Sequence, residues 1–192
     1  MKKIAITGGI ASGKTSVCHI LKTHGACTLN SDQIVHHLLE EDQRCINDVI
    51  ALLGNGILTE GKIDRKKVAE IVFNDAKKLD ALEKILHPKL FATIDKEYER
   101  VKEGKAFNCF VVEMPLVQEI EQTKKFDHIV AVIAKEEHTK SRLSDPASYD
   151  LRMSRQWDPE KKAKHADYVI INNGTMEELK QNTLEMLKEI NS

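Results

Sequence analysis

The sequence predicts an α/β fold in three layers: helices on both faces of a five-stranded parallel sheet, with a helical insertion and a lid. Three observations predict it. Short apolar, β-branched runs alternate with helix-period stretches along the 192 residues, the pattern of strands joined by helical crossovers. The first turn of the chain is Gly8-Gly9-Ile10-Ala11-Ser12-Gly13-Lys14-Thr15, glycine-rich and set between a strand and a helix. From Arg44 to Arg100 the pattern is almost wholly helical, which inserts a helical piece between the second and third strands. The length suffices for one such domain with a real core.

The first strand is Lys3-Ile4-Ala5-Ile6-Thr7, and the helix after the turn carries Val17, Ile20, Leu21 and His24 on one face. The turn between them reads G-x-x-x-x-G-K-T, a phosphate-binding P-loop in the strand–turn–helix context the motif requires. Glycines let several backbone N–H groups converge on an anion, and the helix adds the positive end of its dipole. Lys14 is then expected to reach the β- and γ-phosphates and the Thr15 hydroxyl to coordinate Mg²⁺. The fold is accordingly a three-layer P-loop NTPase fold.

The second strand, Ala26-Cys27-Thr28-Leu29, follows Gly25 as a helix C-cap. It ends at Asn30-Ser31-Asp32, where Ile34, Val35, Leu38 and Leu39 begin a helical spacing. Asp32 thus falls at the carboxyl end of a strand, the edge where parallel sheets bind ligands; Ser31 or Asp32 as a plain helix N-cap is the competing reading. In the insertion, Ile46, Val49, Ile50 and Leu53 form one apolar stripe and Val68, Ile71 and Val72 a second, N-capped by Asp64. Leu79, Leu82, Ile85 and Leu86 form a third, and Pro88 suits the first turn of a further helix with Leu90, Phe91, Ile94 and Tyr98. Gly54-Asn55-Gly56 and Glu60-Gly61-Lys62 are turns.

Phe107 to Val112 reads as a fully buried third strand that delivers Glu113 to the same carboxyl edge. Glu113 is there either a partner of Mg²⁺ or a solvated strand end. His128 to Ile133 is the fourth strand, followed by a helix from about Glu136 to Leu143. Asp145-Pro146 breaks that helix, and Ser148-Tyr149-Asp150 caps another with Leu151, Met153 and Trp157. Arg142, Arg152 and Arg155 flank this corner, where planar guanidinium forks suit a lid over transferring phosphates. Asp167 to Ile171 is the fifth strand, ending in Asn172-Asn173-Gly174, and the last helix opens on the capping box Thr175 and Glu178.

Composition removes several classes. Lys and Arg total 29 against 30 Asp and Glu, which gives no support to a general nucleic-acid or membrane-surface role. No apolar run is long enough to span a bilayer, and the first strand begins within three residues of Met1, so a cytoplasmic location is expected. Cys18, Cys27, Cys45 and Cys109 lack C-x-x-C spacing, and the His36-His37 pair lacks the spacing of a zinc site. A GTPase would carry D-x-x-G and N-K-x-D, and neither is present. The compact core, insertion and arginine-bearing lid fit a small-molecule kinase with ATP as donor and Mg²⁺ as partner.

The stretches Thr7 to Lys14, Asn30-Ser31-Asp32, Gly61-Lys62-Ile63-Asp64-Arg65, Leu86-His87-Pro88, Pro115-Leu116 with Glu119, and Ala166-Asp167-Tyr168-Val169-Ile170 through Asn173-Gly174 together resemble the dephospho-coenzyme A kinase family, nearly end to end and in the family's order. The resemblance implies transfer of the ATP γ-phosphate to the ribose 3′-hydroxyl of dephospho-coenzyme A. It implies a core of about 1–32 and 105–192, an acceptor-binding insertion of about 33–104 and a lid of about 142–165. It implies Asp32, Lys14 and Arg152 as catalytic residues. Gly9, Ile10, Ala11, Ser12, Gly13, Lys14, Thr15 and Ser16, with Arg142, would bind the nucleotide. Asp32, Arg65, His87, Pro115 and Leu116 would bind the acceptor, and Thr15 and Glu113 the metal. Three departures stand out. Asn30-Ser31-Asp32 replaces the family's Asp-Ala-Asp, so Asp32 inherits the catalytic role. Glu113 replaces a shorter Asp, and the lid is shorter and lacks an arginine near its start. A nucleoside monophosphate kinase and a non-catalytic nucleotide-binding module are the alternatives.

Overall fold

A computed structural model of the chain describes residues 1–142 and 156–192. The chain divides into two compact units, one of Met1–Asn30 with Arg100–Ser192 and one of Ser31–Glu99.

The first unit is built on a parallel sheet. Its strands are β1 (Lys2–Gly8), β2 (Ala26–Asn30), β5 (Cys109–Glu113), β6 (His128–Ile133) and β7 (Tyr168–Ile171). They lie in the order β2-β5-β1-β6-β7, all parallel. The chain starts in the middle of the sheet, fills one side and then the other, so the carboxyl end of β1 stands where strand order reverses. Ligands of open α/β sheets bind at that point. The helices α1 (Lys14–Thr23) and α8 (Met176–Asn191) bring Val17, Leu21, Leu179 and Met186 into one core with Ile4, Ile6, Val111 and Val130. β1 and β5 are buried along nearly their whole length, as central strands covered on both faces must be. The capping box holds: Thr175 Oγ1 accepts from Glu178 N–H, and the Glu178 carboxylate accepts from Thr175 N–H at 2.7 Å.

The third strand of this sheet begins later than its apolar run suggests. Phe107 is 42% exposed and the ladder starts at Cys109. Asn108 is committed elsewhere. Its N–H donates to Gly25 O and its side-chain amide to His24 O, which pins the α1–β2 turn where Gly25 adopts φ +90°. The helix α6 (Glu136–Ser141) is as expected up to Ser141; Leu143, and the predicted helix capped by Ser148-Tyr149-Asp150 as far as residue 155, lie outside the described residues, and Trp157, expected on that helix, is not helical. α7 (Pro159–Lys164) starts on the Asp158 cap, whose carboxylate accepts from Lys161 N–H.

The second unit holds α2 (Ser31–Glu41), α3 (Gln43–Leu53), a hairpin of β3 (Leu58–Thr59) and β4 (Lys62–Ile63), α4 (Arg65–Phe73) and most of α5 (Ala76–Gly104). Val49, Ile57, Val68, Val72, Leu82 and Leu86 share its core. Three expectations are corrected here. Within the segment read as almost wholly helical, the expected Glu60-Gly61 turn, with φ +52° and +78°, joins two unexpected antiparallel strands. Positive φ at both central positions gives the turn a twist that matches a hairpin. Pro88 does not start a helix but lies inside α5. The buried residues Leu82, Leu86, Leu90 and Ile94 keep an unbroken four-residue phase across it, so packing overrides the lost hydrogen bond. Finally, α2 runs directly on from β2, so Asp32 lies in its first turn instead of before it. Asp64 does cap α4, accepting from Lys66 N–H at 2.9 Å and from the Thr59 hydroxyl at 3.0 Å.

Candidate active site

β1 hands the chain to a loop held in unusual backbone conformations. Gly8, Ala11 and Gly13 have φ of +146°, +54° and +102°. A Cβ at Gly8 would stand 2.2 Å from Val132 O, and one at Gly13 would stand 2.2 Å from Asn172 Nδ2. Glycine is required at both. Ala11 takes the left-handed conformation at a cost of roughly 1 kcal/mol, a strain that clusters at ligand-binding turns. Ser12 N–H donates to Gly9 O at 3.3 Å, and Asn172 Nδ2 donates to Ser12 O at 2.8 Å, so the loop is braced from within and from the end of β7. α1 then starts at Lys14 with Gly13 as its cap, no side-chain cap and no acid in its first turn. Such a helix start presents N–H groups and a positive dipole to an anion.

Lys14 is buried, and its ammonium donates to Gly9 O at 2.7 Å. Thr15 and Glu113 meet: the hydroxyl donates to the two carboxylate oxygens at 3.0 and 3.2 Å. β5 brings Glu113 there, because its ladder aligns Glu113 with Ile6 of β1 and Asn30 of β2. Glu113 is 7% exposed, which excludes the solvated strand end and leaves a buried carboxylate aimed at the helix start. A hydroxyl and a carboxylate are hard oxygen donors. The pair fits Mg²⁺, which commonly takes one or two protein oxygens and completes its shell with water and phosphate. Cys18 lies on the same helix; burial pushes its thiol far up, Glu113 adds to the effect and Lys14 opposes it, so it is an inert packing residue.

A cleft of about 220 Å³ opens between Gly9, Ile10 and Ser12 and the exit of β6 at Ile133 and Ala134. A wider one of about 530 Å³ shares that exit and is walled by Lys135, Pro159, Ile171 and Asn173. Lys135 N–H donates to Asn173 Oδ1 and Asn172 N–H to Ile133 O, which ties the two strand exits together. Arg142, just past α6, directs its guanidinium at Ala11 O (3.4 Å) and Asn172 O (3.3 Å), beside the loop. Ser16 follows Thr15 in the first turn of α1 and is half-buried. Arg152 lies outside the described residues.

Pro115 and Leu116 follow β5, and Pro115 O accepts from the Thr7 hydroxyl at 2.9 Å. The remaining predicted residues belong to the second unit. Asp32 is exposed in the first turn of α2. Arg65 opens α4, exposed, and donates to His36 Nδ1. A guanidinium can only donate, so Nδ1 is the accepting nitrogen and the ring proton faces Glu40, 3.2 Å from Nε2. His87 is half-buried on α5, next to Pro88.

Two residues escape the sequence reading. Asn172, read as part of a turn, braces the loop. Lys162 sits in the charged run Glu160-Lys161-Lys162-Ala163-Lys164, yet is fully buried and pairs with Glu119 at 2.6 Å. The Asp158-Pro159 helix start, which puts Lys162 on the same face as Pro159, is the one local signal of its direction.

A family model described as dephospho-CoA kinase matches residues 2–178. A dephospho-CoA kinase of Protochlamydia amoebophila is 41% identical over 196 residues, covering 99% of this chain and 97% of its own. Among solved structures, the dephospho-CoA kinase of Campylobacter jejuni is similar with a TM-score of 0.71 and 29% identity, covering 97% of this chain and 96% of its own. A Thermus thermophilus protein is similar with a TM-score of 0.82 and 26% identity over the same shares.

Proposed function

The chain belongs to the dephospho-CoA kinase family, and from that premise we propose how its own residues divide the work. It catalyses the last step of coenzyme A biosynthesis, the ATP-dependent phosphorylation of the ribose 3′-hydroxyl of dephospho-coenzyme A. The observation that carries the assignment of roles is the Thr15–Glu113 hydrogen bond at the start of an uncapped helix. It joins the motif's hydroxyl to a buried carboxylate from the neighbouring strand.

In this reading the N–H groups of the loop from Gly9 to Gly13 and of Lys14, Thr15 and Ser16 receive the phosphates. Lys14 neutralises charge on the β- and γ-phosphates as the leaving group forms. Thr15 and Glu113 would hold Mg²⁺, which when bound would neutralise phosphate charge. Arg142 contacts nucleotide phosphate oxygens, and Arg152 contacts the phosphoryl group in transfer; a planar guanidinium suits both. The wider cleft, with its Pro159 and Ile171 walls, takes the flat nucleotide base. Asp32 orients the ribose hydroxyl and accepts its proton, and Arg65, His87, Pro115 and Leu116 hold the rest of the acceptor. We place the reaction in the cytoplasm; among the described residues no helix is long and apolar enough to cross a membrane.

The test is ATP consumption with a panel of acceptors, followed by location of the new phosphate. Dephospho-coenzyme A should stimulate turnover where AMP, CMP and dTMP do not, and the product should carry phosphate at the ribose 3′ position. A nucleoside monophosphate as preferred acceptor would overturn the acceptor assignment.

A further inference from the structure

We propose that Lys162 is a positioning residue for phosphoryl transfer: it fixes the strand end that enters the P-loop against the strand end that carries Glu113. The proposal rests on the reading of Thr15 and Glu113 as the Mg²⁺ pair.

The ammonium of Lys162 has three protons and three acceptors. They are Glu119 Oε1 at 2.6 Å, Pro115 O at 2.7 Å and Thr7 Oγ1 at 3.2 Å. Two of these acceptors have a telling place in the chain. Thr7 immediately precedes Gly8, the first residue of the phosphate-binding turn. Pro115 is two residues beyond Glu113. Thr7 also donates to Pro115 O at 2.9 Å, and Met114 N–H donates to Ile6 O at 2.9 Å, so β1 and the chain leaving β5 are stitched together at this level. Lys162 closes the stitch from α7. Gln118 Nε2 holds the carbonyl of Lys162 itself at 2.9 Å, and Glu119 Oε1 also accepts from Trp157 N–H at 2.7 Å.

Stability alone does not explain a lysine here. A buried ion pair can often be replaced by apolar side chains of similar volume without loss of stability. An apolar chain could not, however, hold a hydroxyl and a carbonyl of two different segments at fixed distances. Burial holds the ammonium's pKa below the usual lysine value, and Glu119 opposes that shift only in part. Gln118 Oε1 and Glu119 Oε2 are both buried and without a hydrogen-bond partner among the described residues. A shift of Thr7 or Pro115 passes through one or two peptide units to the loop or to Glu113. Misplacement by about 1 Å can lower a reaction rate about a hundredfold.

Two variants test this. Lys162→Met with Glu119→Gln removes both charges at nearly constant volume; Thr7→Val removes only the hydroxyl. Each is compared with wild type by thermal melt, ATP affinity, kcat and the Mg²⁺ concentration that gives half-maximal rate. In the double variant kcat should fall about tenfold or more and the half-maximal Mg²⁺ should rise, while ATP affinity stays within about twofold. Thr7→Val should move both quantities the same way, by about threefold. A merely structural residue would lower the melt and leave the Mg²⁺ dependence alone. A folded double variant with wild-type kcat and Mg²⁺ dependence overturns the proposal. If the double variant does not fold, Thr7→Val decides, and wild-type behaviour there overturns it equally. Glu113→Gln separates the two layers. If Glu113→Gln leaves the Mg²⁺ dependence unmoved, the metal reading fails and takes the proposal with it. If Glu113→Gln shifts it and the Lys162 and Thr7 variants do not, only the positioning role fails.

Discussion

Gly13 shows how tightly single residues are specified at the site. Its φ is +102°, and a methyl group there would stand 2.2 Å from Asn172 Nδ2, the atom that braces Ser12 O. Gly13→Ala should therefore destabilise the protein by roughly 1–3 kcal/mol. It should also weaken ATP binding about tenfold or more, because the displaced amide releases the loop. Thermal unfolding and nucleotide titration check both; an alanine variant with wild-type ATP affinity would show that the brace is dispensable. Lys14→Ala should behave differently, keeping the fold while turnover drops by about two orders of magnitude or more, since the role proposed for its ammonium is to neutralise developing charge. Near-normal turnover in that folded variant would remove the loop from the mechanism. Lys14, Thr15 and the loop glycines were legible in the sequence because one contiguous motif encodes them. Glu113 was half legible: its strand end was visible, but only the ladder with β1 shows that its carboxylate is buried against Thr15. Asn172 and Lys162 were not legible, because their partners lie 160 and 155 residues away and no local period records such contacts.

At the scale of elements, local chemistry and tertiary packing compete, and the insertion shows both outcomes. α4 follows local chemistry. The Asp64 carboxylate accepts from the Thr59 hydroxyl and from Lys66 N–H, and these bonds hold its pKa below the usual carboxylate range. A depressed folded pKa means that the cap contributes fully above the ordinary carboxylate pKa and is lost as pH falls through the lowered one. Asp64→Ala should thus lower the melting temperature at pH 7, and the gap to wild type should close as the medium is acidified below the carboxylate range. A gap that stays constant down to the lowest pH would mean that the charge plays no part. α5 follows packing instead. A proline in a helix interior removes one hydrogen bond and crowds the preceding turn, yet Leu82, Leu86, Leu90 and Ile94 hold one face through it. Pro88→Ala should stabilise the protein by about 1 kcal/mol or more, read from chemical denaturation; a loss of stability would mean that the bend itself is needed for packing. The sequence signals were present for both elements. For α5 the proline outweighed an intact four-residue phase in the reading, and for the hairpin a Glu-Gly turn was visible while two-residue strands were too short to show a period of two.

For the whole molecule, the alternation of strands and helices was enough to predict a parallel sheet, whereas its order was not readable, because spacing along the chain does not say which strands become neighbours. The observed order puts β1 in the centre, and the proposed nucleotide-handling groups gather in the first unit: the loop, Thr15 with Glu113, and Arg142. Of the proposed acceptor-handling groups, Asp32, Arg65 and His87 come from the second. On that assignment ATP affinity and turnover on the acceptor are separable by mutation, and Asp32 is the residue on which to separate them. A ribose hydroxyl is a poor nucleophile, and phosphoryl transfer depends mostly on orientation and electrostatics. Asp32 is the only acid in Asn30-Ser31-Asp32, and it stands in the first turn of α2, where its charge also suits the helix dipole. Asp32→Asn keeps size and hydrogen-bonding capacity and removes the charge, so the fold should persist with a loss of at most about 1 kcal/mol. ATP affinity should stay within about twofold, while kcat on dephospho-coenzyme A falls about a hundredfold. Single-turnover rates, with ATP binding measured separately, give the comparison. An Asp32→Asn enzyme with wild-type turnover would show that orientation of the hydroxyl belongs to another group, and one that loses ATP binding in step with turnover would show that Asp32 serves the nucleotide, not the acceptor.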